Sequence, residues 1–181
     1  MKQLRLLLVP ITLGLVLMPT AASAAPPEVN HFRDVFTEVD PDFCGTGQQI
    51  DIAGDILVTE WLAPHQADYK NTVSGTVTFT NPLTGDTVIN HFAGAFWDET
   101  ISGDPEGLHV HEFTNKGIQE LFKTSHGGVL TLDAGYITFR VTFDGDEVIS
   151  DEIVVNNGPH PQADSDFELF CEIMPEALGI E

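Results

Sequence analysis

Apolar and polar residues alternate along most of this chain, and a 3.6-residue period is scarce, which predicts an antiparallel all-β protein. Residues from about Asn30 to Val39 read as a first strand, ended by Asp40-Pro41. From Ile50 a long half-buried strand places Ile50, Ile52, Ile56, Val58 and Leu62 on one face, and Trp61-Leu62-Ala63-Pro64-His65 ends it. Val73, Val77 and Phe79 then share a face with Gly75, opposite the ladder Thr72, Ser74, Thr76, Thr78 and Thr80, which predicts a solvated sheet face. The strand after Asn81-Pro82-Leu83-Thr84-Gly85-Asp86 is apolar on both sides from Val88 to Trp97, as expected of a central position.

Leu108 to Thr114 predicts a short strand, with a turn at Asn115-Lys116-Gly117. Ile118, Leu121 and Phe122 fit a helical turn as well as a strand. Gly127-Gly128 and Val129 to Leu132 favour a hairpin. Ile137, Phe139, Val141 and Phe143 alternate cleanly with polar residues, and Asp144-Gly145 predicts a tight hairpin into Glu147 to Val155. Phe167, Phe170, Cys171 and Met174 recur at helical spacing, so a short helix closes the chain. About eight strands joined by short reversals predict one up-and-down, lipocalin-like β-barrel, with a two-sheet β-sandwich as the alternative.

The start of the chain changes the picture. Lys2 and Arg5, the apolar run Leu6 to Leu17, and Ala22-Ser23-Ala24 follow the order of a secretory signal peptide cleaved after residue 24. The apolar run falls short of the roughly 20 residues that span a bilayer. Domain assignment is therefore a signal over 1–24 and a single β-barrel domain over 25–181. Export makes oxidation of the two cysteines the expected state, which pairs Cys44 with Cys171.

The chain carries 7 basic and 28 acidic residues, a formal charge of −21, and loss of Lys2 and Arg5 takes the mature charge to about −23. Such a surface disfavours nucleic acid and anionic membranes. A released, extracellular monomer is expected, with no membrane association after cleavage.

Three segments together resemble an uncharacterised family of small secreted bacterial proteins. They are Pro41-Asp42-Phe43-Cys44-Gly45-Thr46-Gly47, Leu132-Asp133-Ala134-Gly135-Tyr136-Ile137-Thr138-Phe139, and Gly158-Pro159-His160-Pro161 followed by Ser165-Asp166-Phe167 and Phe170-Cys171-Glu172. The resemblance implies a signal, paired cysteines and one β domain. It implies no catalytic residue.

Candidate chemistry is sparse. Gly103 followed by His109-Val110-His111 resembles the opening of the cupin metal motif, and histidines at i and i+2 of a strand lie roughly 7 Å apart on one face. The glutamate that the cupin pattern places a few residues later is missing, as is the second cupin motif. Leu108 and Val110 make the more apolar side of this strand, so His109 and His111 are expected to face water. His91 or His126 is the conceivable third ligand for a divalent transition metal.

No Gly-x-Ser-x-Gly elbow occurs. Glu60, Asp98, Glu99 and Glu112 are acids on or near strands that a cleft can use. Asp144, Asp146 and Glu147 cluster at a turn too short to wrap calcium. His160 between two prolines reads as a stiff loop feature.

The function expected from these features is a non-catalytic barrel that binds a small apolar ligand, or an extracellular protein partner, through residues the pattern does not name. The alternatives are a cupin-like metal-dependent enzyme using His109 and His111, and a purely structural extracellular domain.

Overall fold

The computed structural model describes residues 28–62, 69–165 and 168–180. The signal segment 1–24, the strand end at Ala63-Pro64-His65, and Phe167 lie outside the described residues. Among the described residues seven antiparallel strands form one meander in the order β1 to β7. They are β1 (Glu28–Asp40), β2 (Ile50–Leu62), β3 (Tyr69–Thr80), β4 (Thr87–Gly103), β5 (Leu108–Thr124), β6 (Val129–Asp144) and β7 (Glu147–Asn157). Two helices follow, α1 (Pro161–Asp164) and α2 (Leu169–Ala177). The expected all-β class, up-and-down order and closing helix are all present.

Two expected breaks do not occur. Asn115-Lys116-Gly117 is not a turn, since β5 runs straight through it, paired with β4 and β6 on either side. The segments from Val129 and from Ile137 are likewise one strand, β6. Both follow from glycines that bend a strand without ending it. Gly94 pairs with Gly117 and Gly117 with Gly135, and Gly158 lies next in line, so a row of glycines crosses β4, β5, β6 and the end of β7. Gly117, Gly135 and Gly158 have φ of 117°, 134° and 130°, a region closed to residues with a side chain. Glycine kinks of this kind let a sheet curl.

The curl does not close into a barrel. β1 and β7 remain the two edges of the sheet, because α1, α2 and the C-terminal residues occupy the inner face where an opposite wall would stand. Both edges carry acids, Glu28, Asp34 and Glu38 on β1 and Glu147, Asp151 and Glu152 on β7, which discourages edge-to-edge pairing between copies.

The core sits at one end of the inner face. Ile50, Phe79, Val88 and Phe122 from the sheet meet Phe43, Met174, Leu178 and Ile180. The ring of Phe170 lies 5.5 Å from that of Phe122 and 5.7 Å from those of Phe43 and Phe79. Phenylalanines therefore fill the space that a hollow barrel would offer a ligand.

The α2 terminus is closed by its own backbone and by the β3–β4 turn. Gly179 takes φ 65°, Ile180 N–H donates to Pro175 O at 2.9 Å, and Asn81 Nδ2 donates to Leu178 O at 2.8 Å. Cys44 is bonded to Cys171 as expected, with Cα atoms 5.4 Å apart. This joins the Asp42–Gly47 corner to α2.

Candidate functional site

A cleft of about 410 Å³ lies between the inner face of β5 and β6 and the two helices. Two local features create it. Gly117 and Gly135 leave a line of the sheet without side chains beneath it. A bulge then interrupts β5: Ile118 pairs with Ala134 and Glu120 with Asp133, so Gln119 is an extra residue. Both Gln119 and Glu120 line the cleft as a result.

The loop after β7 supplies the other side. Ala134 N–H donates to Pro159 O at 2.9 Å, holding the Pro159-His160-Pro161 segment against β6. His160 is thereby driven inside, 1% exposed, with its Nδ1 2.8 Å from Asp133 Oδ1. The carboxylate can only accept, so Nδ1 carries the hydrogen. His160 Nε2 and Gln119 Oε1 are buried and have no hydrogen-bond partner. Buried polar atoms are nearly always satisfied, so two orphans in one cleft ask for a reason.

Glu120 stands directly across the ladder from Asp133, two carboxylates side by side, and accepts from Gln162 Nε2 at 3.1 Å. Burial raises the Glu120 pKa, the Gln162 hydrogen bond opposes this, and the charge of Asp133 adds to it. Ile137, Phe139 and Phe170 form the apolar walls.

The raised pKa has a measurable consequence. Between the ordinary carboxylate value of 4.5 and the higher folded value, the folded chain binds more protons than the unfolded one, so stability falls as pH rises through that window. Glu120→Gln keeps an acceptor for Gln162 and removes the charge. Thermal melts are expected to show the variant above the wild type at pH 7.5, with the gap closing by pH 4. A variant less stable than wild type at pH 7.5 would mean that the charge is satisfied in the fold.

The expected site residues lie elsewhere. His109 and His111 share a face, with ring centroids 5.1 Å apart, but that face is the inner one. Leu108 is 63% exposed and His109 only 8%, the reverse of the expectation. The histidine rings are held in by aromatic contacts: His109 stacks on Phe143 at 5.2 Å and His111 on Phe113 at 5.8 Å. Leu108, on the outer face, has no such partner layer above it.

His109 Nδ1 donates to Gly107 O at 2.9 Å, and His111 Nδ1 to Asp98 Oδ1 at 2.6 Å. Hydrogen bonds at Nδ1 fix both ring orientations, and His111 Nε2 is occupied as well, accepting from Thr100 Oγ1 at 3.4 Å. His91 pairs with Thr76 and Leu121 on the opposite face, and His126 lies in the turn at the far end of β5. Neither joins them. Among the described residues no group of three or more His, Cys, Asp or Glu side chains is placed to hold a metal ion.

The acids also disperse. Glu60 accepts from Tyr69 Oη at 2.6 Å, and Asp98 is committed to His111. Glu99 and Glu112 face each other on the outer side, with Arg140 bound to Glu112. Asp144 and Glu147 simply flank their turn.

The signal for the cleft lay in the three segments that resemble the secreted family. Asp133 and His160 come from two of them and meet, while Phe43 of the third touches Phe170. Glu120 and Gln119 carried no signal, because only the bulge brings them to one side. Comparison with known proteins finds no matching family model, curated protein or solved structure, so the chemistry of this cleft is read from its own residues.

Proposed function

We propose that the mature protein is exported, non-catalytic, and binds one small, largely apolar ligand in the cleft between β5, β6 and the helices. The observation that carries this reading is the pairing of apolar walls, Ile137, Phe139 and Phe170, with a floor where buried polar atoms lack partners. A few convergent polar groups in a mostly apolar concavity of this size are what small-molecule sites share. Export is supported by the signal-like order of residues 2–24 and by the Cys44–Cys171 bond.

The test uses N-phenyl-1-naphthylamine, an uncharged apolar dye that fluoresces on leaving water. The oxidised mature protein is expected to bind it one to one with micromolar affinity. Ala163 lines the cleft from α1, and Ala163→Trp is expected to fill the space and weaken binding about tenfold or more, with little change in melting temperature. Equal dye binding by a well-folded Ala163→Trp variant would remove this reading, and so would no binding by the wild type.

A further inference from the structure

We infer that the ligand of this cleft is an apolar amine, held as the ammonium ion by Glu120, Asp133 and His160. The inference rests on the proposed binding function and specifies its chemistry. The two buried polar atoms without partners on the floor, His160 Nε2 and Gln119 Oε1, both offer lone pairs. His160 Nε2 is an acceptor in the neutral ring, because Nδ1 carries the hydrogen that Asp133 receives. Gln119 Oε1 is a second open acceptor, buried like the first. The Gln162 amide directs one N–H to Glu120 Oε2.

Charge points the same way. Glu120 and Asp133 are directly opposite on adjacent strands, a like-charged pairing that is unfavourable. Asp133 is 6% exposed. Among the described residues no lysine or arginine lines the cleft. A ligand ammonium between the two carboxylates supplies the missing cation and up to three donors for Nε2, Oε1 and Glu120. The displacement of Glu120's pKa by burial is the strain that such a ligand would relieve. The apolar body of the amine would lie against Phe139 and Phe170. The net negative charge of the whole chain favours the approach of a cation over that of an anion.

Calorimetric titration at pH 7.5 and 150 mM salt with 2-phenylethylamine, 2-phenylethanol and 3-phenylpropionate separates the possibilities, because the three share a body and differ in the head group. The amine is expected to bind one to one at least tenfold more tightly than the alcohol, and the carboxylate not measurably. Glu120→Gln should bring amine and alcohol within about threefold of each other. Glu106→Gln, in the exposed loop before β5, should leave the tenfold preference intact and so exclude a general attraction to acidic surface. Glu106→Gln erasing the preference, or Glu120→Gln leaving it intact, overturns the assignment to this cleft.

Equal affinity for amine and alcohol, tighter binding of the carboxylate, or no binding of any of the three while the dye still binds, overturns the amine assignment and leaves the binding function standing. Loss of dye binding as well removes both.

Discussion

Replacing Cys44 and Cys171 with serine is expected to lower the unfolding free energy by about 5 kcal/mol, the value the chain-entropy model assigns to a bond closing a loop of 127 residues. That is a large share of the total for a domain whose stability falls in the ordinary range of about 5–15 kcal/mol. The native state adds reasons for the bond to matter. Cys44 is held at φ 51°, the one described non-glycine residue in the left-handed region, so that Phe43 can enter the core, where it is 2% exposed, while Cys44 faces α2. The corner is braced by Phe43 N–H to Gln48 O at 2.9 Å and by Gly47 N–H to Asp42 Oδ1 at 2.6 Å.

Across the bond, α2 is only nine residues long, contains Pro175, and contributes Phe170 to the cleft. A helix of this length does not persist without tertiary contacts. Urea unfolding of the double variant and the wild type measures the loss, and the same variant is expected to bind the naphthylamine dye more weakly as Phe170 loses its anchor. A loss below about 1 kcal/mol would show that Met174, Leu178 and Ile180 dock the helix unaided.

The second large effect is expected at the glycine row. Gly135→Ala should destabilise the protein by about 3 kcal/mol or more, at the upper end for single substitutions, because two costs add. The residue sits at φ 134°, and a Cβ there would lie 2.2 Å from Asn157 O and 2.9 Å from Gly158 Cα. Both obstacles are backbone, so neither can rotate aside. Gly127→Ala separates the terms, since Gly127 has φ 87° but nothing within 4 Å of a Cβ. It should cost about 1 kcal/mol. Similar melting temperatures for the two variants would mean that the row is slack and that the sheet's bend comes from elsewhere. Because the row runs under the cleft, the same close approach of β5, β6 and the loop after β7 that makes Gly135 costly to replace also makes room for a ligand.

These effects trace how much of the molecule could be read in advance. The alternation Ile50, Ile52, Ile56, Val58 marks β2 to within its observed bounds, since a period of two on a half-buried face leaves little choice of structure. The alternation from Ile137 to Phe143 marks only the second half of β6, with Asp144-Gly145 its hairpin, while the first half from Val129 reads as a separate segment. Where glycine punctuates a strand, the pattern misleads. Gly117 looks like a turn signal, yet it is a residue whose neighbours across both ladders are also glycine, and that coincidence exists only in the folded sheet. Leu108 and His109 misled in the opposite direction. Apolar residues ordinarily point inward, but here Phe143 and Phe113 provide an inner surface on which imidazole rings stack, and the leucine is left outside.

By itself, the order of residues determined the all-β class, the up-and-down sequence of strands, the closing helix and, through the export-like start and the pair of cysteines, the disulfide. Each depends on local periodicity or on a count of two, quantities that survive without knowledge of neighbours. Only the tertiary structure decided that the sheet stays open, that its would-be lumen is filled by phenylalanines, and that a cleft forms beside it. It alone brought together Glu120, Asp133 and His160, the last of them 27 residues beyond Asp133. Their meeting depends on a one-residue bulge and a row of glycines, and a shift of one residue in register exchanges the faces of a strand. No pattern along a single strand records which residue of the next strand it will face.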